Sequence, residues 1–275
     1  MIEKVNPQHP DKQMDRICGA IVDWCYTQKD NPKVAVEGIL GHGLCTIIVE
    51  SNVEITTSIV KKIVTRITGD DSIKIKLISV PQDEILSENQ SNEIKCGDNG
   101  IFKGVPLSSE QIELTKIAQE IHSEYPTDGK YIFDEKTKKL IICQSCCDSQ
   151  KLKNKLEERY PEYNIVVNPL GDWTGGSSVD TGACNRKLGS DMGFACTGGG
   201  LHGKDVDTKA DCSVNIYCFL EAQRTGMVQN AFCAIGDTEV NVNGNMIPYS
   251  KIVSTAKKYI DQIGGYEAFA EWGLW

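Results

Sequence analysis

The sequence predicts an α+β protein built from three related units, each a small sheet carrying two helices. Two observations lead to it. One is a recurring order of segments: a stretch with helical spacing of apolar residues, two short strands, a second helical stretch, a third strand. The other is the period, for the order restarts near residues 11, 108 and 206 of 275. Self-similarity on that scale marks related structural units. A sheet that buries one face under helices is an α+β layer.

In the first unit, Met14, Ile17, Cys18, Ile21, Val22 and Cys25 recur at helical spacing and predict a helix over 11–28. Strands over 33–40 and 44–50 follow. Ile59, Val60, Ile63, Val64 and Ile67 predict a helix over 56–68, and a strand over 73–79 closes the unit. The second unit reads as helix 108–123, strands 130–134 and 139–144, helix 149–160 and strand 163–168. The third reads as helix 206–224, strands 228–235 and 238–242, and helix 249–262, with no clear closing strand. Its end, Glu267 to Trp275, is short and aromatic; it reads as a tail docked on the core or as an oligomer contact. Approximate boundaries are 1–100, 101–205 and 206–275, with interleaved units and a truncated third.

Charge and composition exclude several classes. A net charge of −9 argues against non-specific nucleic-acid binding, which needs a basic face. No apolar run approaches the roughly 20 residues of a membrane span. Met1 is followed by Ile-Glu-Lys rather than a basic and apolar leader, so a cytoplasmic location is expected. The twelve cysteines then read as reduced thiols. Cys143 and Cys146 form a CxxC, but a zinc site needs a second ligand pair at suitable spacing.

Chemistry concentrates in two glycine-rich stretches between the second and third units. One runs from Asp180 through Gly182 to Arg186 and Lys187. The other runs from Gly198 through Lys204 and Asp205 to Lys209 and Asp211. Glycine lets backbone N–H groups approach phosphate oxygens, lysine and arginine neutralise them, and carboxylates recruit Mg²⁺. Long aperiodic stretches of this kind are often functional. Far upstream stands His9-Pro10-Asp11-Lys12. Taken alone, Asp11 reads equally as a helix cap and His9 as a surface histidine. No P-loop and no dinucleotide fingerprint is present.

These residues together resemble the S-adenosylmethionine synthetase family. His9-Pro10-Asp11-Lys12 is similar to its GHPDK, with Gln8 where glycine is usual. Val34 to Glu37 is similar to its VACET strand, and Gly97-Asp98-Asn99-Gly100 to its GDQG. Asn168 to Lys187 follows its NPTGRF…GD.GLTGRK at the same length. Gly198 to Asp211 follows its GGGAFSGKDPSKVDRS. The matches run in order from about Glu3 to Gly236, and the family's three pseudo-threefold units agree with the repeat.

The resemblance implies attack of the methionine sulfur on C5′ of ATP, departure of triphosphate, and its hydrolysis to pyrophosphate and phosphate. It implies Mg²⁺, two ions, at Asp11 and Asp211, and K⁺ at Glu37. His9, Lys130, Arg186, Lys187, Lys204 and Lys209 would be catalytic, with His9 near the departing oxygen. Glu3, Asp128, Trp173 and Asp180 would join Arg186, Lys187, Lys204 and Lys209 in holding ATP and triphosphate. Glu50, Gln90, Asp98 and Asp180 would hold methionine; Glu54 competes with Glu50, which is preferred by spacing. The resemblance also implies a homodimer with shared sites, or a tetramer of such dimers.

The sequence departs from the family at several places. Asp172 stands where the family has an arginine, and Cys196-Thr197 where it has Arg-His. One residue fewer before Lys204 places His202 close to the phosphates. The segment between Gln90 and Asp98 is shorter than the family's gating loop, and the chain is about a quarter shorter overall. Two alternatives follow from these departures: a non-catalytic subunit that modulates a longer synthetase, and a triphosphatase that keeps only the second half-reaction.

Overall fold

Three four-stranded sheets carry the architecture, and each takes one strand from another part of the chain. The computed structural model describes residues 1–90 and 93–275. The chain begins with β1 (Ile2–Val5) and α1 (Pro10–Gln28). The hairpin of β2 (Val34–Gly41) and β3 (Leu44–Ser51) leads to α2 (Thr57–Thr68) and β4 (Lys74–Val80). After α3 (Glu84–Asn89) and β5 (Gly100–Gly104) come α4 (Ser109–Glu124), β6 (Gly129–Asp134), β7 (Lys139–Gln144), α5 (Ser149–Arg159) and β8 (Asn164–Val167). Then follow β9 (Thr181–Ala183), α6 (Leu188–Met192), α7 (Ala210–Thr225), β10 (Gln229–Cys233), β11 (Glu239–Val242), β12 (Asn245–Pro248), α8 (Tyr249–Ile263) and α9 (Tyr266–Trp272).

The expected repeat is present, with an exchange that periodicity did not reveal. The strand before each unit's first helix is handed to another unit's sheet. β1 pairs antiparallel with β6, β5 with β10, and β9 with β2. These strands are three to five residues long, too short to display alternation. β4 and β8 lie parallel to β3 and β7. In the third sheet the corresponding edge is β12, antiparallel to β11. It returns through Asn243-Gly244, both at positive φ as a two-residue hairpin requires. The third unit therefore supplies its edge strand before its second helix rather than after it.

Helices cover one face of each sheet, forming three apolar clusters. Thr56, Ser108 and Asp148 cap α2, α4 and α5, and Ser108 forms a reciprocal box with Gln111. The aromatic C-terminus docks on the core. α9 lies against α1 at Gly19, where a Cβ would stand 2.5 Å from the Tyr266 carbonyl oxygen. Asp23 caps α9 by accepting from the Tyr266 and Glu267 amides at 2.7 and 2.8 Å. The opposite sheet faces stay open and carry exposed Ile39, Ile48 and Ile78 on the first sheet, and Ile101, Phe232 and Met246 on the third. Among the described residues, no helix is long and apolar enough to cross a membrane.

Candidate active site

The start of α1 gathers the first group of predicted residues. Pro10 sets the first helical position, and the His9 Nδ1 accepts from the Asp11 amide at 3.2 Å. Gly182 of β9 crosses here; a Cβ on it would lie 2.0 Å from the Pro10 carbonyl oxygen. That approach lets the Ala183 amide donate to Asp11 Oδ1 at 2.8 Å. The following turn brings back two cations. Arg186 Nε lies 2.8 Å from Asp11 Oδ1, and Lys187 Nζ lies 2.8 Å from Oδ2. Asp11 is fully buried, whereas Arg186 stays half exposed.

Burial pushes the His9 imidazole down to about 4; Asp11 pulls the other way, and Lys187 and Lys130 add to the fall. Because Nδ1 accepts a hydrogen bond, the neutral ring carries its proton on Nε2. Asp128 is buried and accepts from the Gly176 amide at 2.8 Å. Burial raises its carboxyl to about 6, the Gly176 amide opposing and Asp180 and Asp11 adding. Asp128 Oδ1 is buried with no hydrogen-bond donor. Lys130 pairs with Glu3 at 3.0 Å across β6 and β1. Trp173 donates its indole N–H to Asn168 at 3.1 Å, and its ring reaches Gly175 beside Asp128.

A second group forms where the second glycine-rich stretch meets β2 and α7. Lys204 bridges to Ala35, and its Nζ lies 2.9 Å from Asp211 Oδ2 and 3.9 Å from Glu37. Burial works against the Lys204 charge, but Asp211 and Glu37 keep the ammonium above its ordinary value. Burial raises the Glu37 carboxyl; Lys204 opposes this, and Asp15, Asp211 and Glu50 add to it. Gly199 packs on the Asp211 carboxylate, which a Cβ would enter at 2.2 Å, and Asp211 Oδ1 is buried without a donor. Lys209 stands at the N-cap of α7.

Other predicted residues stand apart. Gln90 faces Gly97 and lines a hollow with Lys33 and Asp207. Asp98 lies in the loop entering β5, its carbonyl near the Cys233 thiol at 3.5 Å. Residues 91 and 92, within the short segment between Gln90 and Asp98, lie outside the described residues. Glu50 is exposed on the open face of β3, beside Ala35; Glu54 is exposed in the turn before α2. Asp172 accepts from the Ser149 amide at 3.3 Å and so ties its loop to the start of α5. Thr197 accepts from the Asn215 side chain at 2.6 Å.

Sequence reasoning missed a buried ionic group beneath the site. Lys12 Nζ lies 2.7 Å from Asp191, 3.2 Å from Asp15 and 3.3 Å from the His202 Nε2. His202 Nε2 lies 3.0 Å from Asp191. Asp15, Asp191 and His202 are close enough together to hold a metal ion, yet the Lys12 ammonium stands among them and supplies the cation. One signal was legible: Asp15 interrupts the apolar face of α1 beside Met14 and Cys18, where a charge needs a partner.

Known proteins share this arrangement of chain and fold. A family profile described as S-adenosylmethionine synthetase, N-terminal domain, matches residues 1–91. S-adenosylmethionine synthase 1 of Rhodopseudomonas palustris is 25% identical over 263 residues, covering 76% of this chain and 68% of its own. The S-adenosylmethionine synthase of Borrelia garinii is 28% identical over 271 residues, covering 77% and 69%. The chain is thus similar to S-adenosylmethionine synthetases, at 25–28% identity. It also has their fold: an unusual S-adenosylmethionine synthetase from Campylobacter jejuni superposes over 100% of this chain and 93% of that one. The TM-score is 0.76, at 18% identity. The match spans 68–69% of the length of these curated relatives.

Proposed function

We propose that the chain makes S-adenosylmethionine from ATP and L-methionine, by sulfur attack on C5′ with loss of triphosphate, which is then hydrolysed. The observation that carries this reading is the convergence on Asp11, in a chain similar to the S-adenosylmethionine synthetases. A helix N-terminus, His9 and two cations from a distant turn meet at one buried carboxylate. A helix N-terminus with adjacent cations suits an anion of high charge.

Sulfur attack on carbon transfers no proton, so the demand is for positioning and for stabilising the departing triphosphate. His9 meets it as a neutral donor, offering Nε2–H to the leaving oxygen. Arg186, Lys187, Lys204 and Lys209 neutralise the phosphates. Asp128, Trp173, Asp180 and Glu3 flank the nucleoside, Lys130 reaches phosphate, and Glu50, Gln90, Asp98 and Asp180 take the methionine.

Magnesium fits Asp211, whose Oδ1 is a buried oxygen with no donor. At Asp11 the oxygens face Arg186 and Lys187, so a metal there requires those cations to turn to phosphate. Bound Mg²⁺ would neutralise triphosphate charge. Potassium at Glu37, like magnesium at Asp211, would require Lys204, 3.9 Å and 2.9 Å away respectively, to turn to phosphate.

The open apolar sheet faces support a homodimer. Glu37 and Glu50 lie on the same face as Ile39 and Ile48. In this reading the second group of one copy, with Gln90 and Asp98, completes the first group of the other. The test is incubation with ATP, methionine and Mg²⁺, read by mass spectrometry. S-adenosylmethionine is the expected product. Phosphate release at full rate without methionine would instead indicate a triphosphatase, and no turnover a binding subunit.

A further inference from the structure

Asn185 joins the two glycine-rich stretches, and its side chain does so by backbone recognition. It precedes Arg186 and Lys187 directly, at φ 62°, a left-handed conformation that asparagine tolerates. Its amide donates to Asp15 Oδ1 at 2.7 Å, which fixes the turn to α1 one helical turn beyond Asp11. Its Oδ1 accepts from the Leu201 and His202 amides, both at 2.8 Å. Its Nδ2 donates to the His202 carbonyl at 3.2 Å.

The second stretch is shaped to receive this side chain. A Cβ on Gly200 would stand 2.4 Å from Asn185 Nδ2 and 2.6 Å from its Cγ. Gly203, at φ 78°, then lies against the Val36 carbonyl and delivers Lys204 to Glu37 and Asp211. One carboxamide thus satisfies three backbone groups of a loop that otherwise has few local partners, and does so beside two cations of the first group. Such support, rather than the contacting residues alone, decides whether a site is held in working geometry.

We propose that Asn185 is a positioning residue that makes the Arg186–Lys187 turn and the Gly198–Lys204 loop one mechanical unit, so that the cations of both stretches are held in place to receive polyphosphate. The proposal rests on the polyphosphate reading of the site. Glycine at 185 keeps the backbone conformation at no steric cost and deletes only the side-chain bonds.

The experiment compares wild type, Asn185→Gly, Gly200→Ala and the double variant. Its readouts are calorimetric binding of inorganic triphosphate with Mg²⁺, thermal unfolding, and hydrogen exchange of residues 198–204. Asn185→Gly is expected to weaken triphosphate binding about tenfold, to lower the unfolding temperature while leaving the protein folded at assay temperature, and to speed exchange at Leu201 and His202. Gly200→Ala, whose methyl collides with Asn185, is expected to be milder in the Asn185→Gly background, because the colliding atoms are gone. Wild-type affinity in Asn185→Gly, or additive effects of the two substitutions, would overturn the proposal. If wild type binds no triphosphate, the polyphosphate reading fails, and with it the proposed role in binding. Unchanged exchange at Leu201 and His202 would refute the mechanical link in either case.

Discussion

Lys187 Nζ and Asp11 Oδ2 lie 2.8 Å apart, at the buried N-terminus of α1. The ion pair stores a cation where an anionic leaving group would arrive, and it keeps a buried carboxylate compensated. Lys187→Met should therefore lower product formation by about 10²–10³-fold, the scale for losing one preorganised stabilising group. Arg186 and the Ala183 amide still serve Asp11, so the fold should survive. Steady-state rates beside thermal unfolding curves check this; an unfolded variant, or one with wild-type turnover, contradicts it.

His9 gives a pH signature of definite sign. Its folded value is about 4, against an ordinary 6.5. Between those values the unfolded chain binds more protons, so stability rises with pH through that window. The contribution is complete above about 6.5 and is lost as pH falls toward 4; its ceiling is about 3 kcal/mol. Denaturant titrations from pH 4 to 7 should show a slope that His9→Asn reduces. The His9 ring signals in NMR should stay neutral from pH 6 to 8.

The helices and central strands were legible because long amphipathic stretches display their period: Val60, Ile63, Val64 and Ile67 are buried as their spacing requires. The exchanged strands were not, since Ile2–Val5 and Thr181–Ala183 are defined by partners remote in sequence. Motifs named Asp11, Arg186 and Lys187, but not that the three would meet in a direct ion pair. Of Lys12, Asp15, Asn185 and His202, only Asp15 lies outside the motifs, yet no motif says that the four meet; what links them is burial and contact, which a sequence does not print.

The buried ionic group predicts a stability defect unlike a surface one. Lys12, Asp15 and Asp191 are all at most 1% exposed, so Lys12→Met leaves Asp15 without its ammonium partner and Asp191 with His202 alone. Removing one member of a buried charge group costs about 3–5 kcal/mol. Lys12→Met should unfold on the order of 10 °C below wild type. His202→Phe, which keeps a ring near Phe269 while losing the bond to Asp191, should fall between them. Calorimetric scans of the two variants test the order.

Ile48 should be a dimer contact. It is 45% exposed on the open face of β3, opposite Glu37 and next to Ile78 in register. An isolated apolar residue there needs no explanation, but a row continuing to Ile39 does. Sedimentation should give twice the 30.3 kDa chain mass for wild type. Ile48→Lys should sediment as the single chain with its helical content unchanged. A wild-type monomer with full activity would remove the shared-site proposal.

Complementation tests that proposal at the level of the sites. If the Asp11–Lys187 group of one copy works with the Lys204–Asp211 group of the other, Lys187→Ala and Asp211→Ala each inactivate both sites of a homodimer. Mixed and allowed to exchange subunits, they form heterodimers with one site holding both defects and one holding neither. Random exchange should then restore roughly a quarter of wild-type activity, because half the dimers regain one of two sites under twofold symmetry. Sites contained within single subunits would recover nothing, since every Lys187→Ala copy and every Asp211→Ala copy would carry its own defect. The recovered fraction, followed against the exchange measured by mass spectrometry, distinguishes the two arrangements.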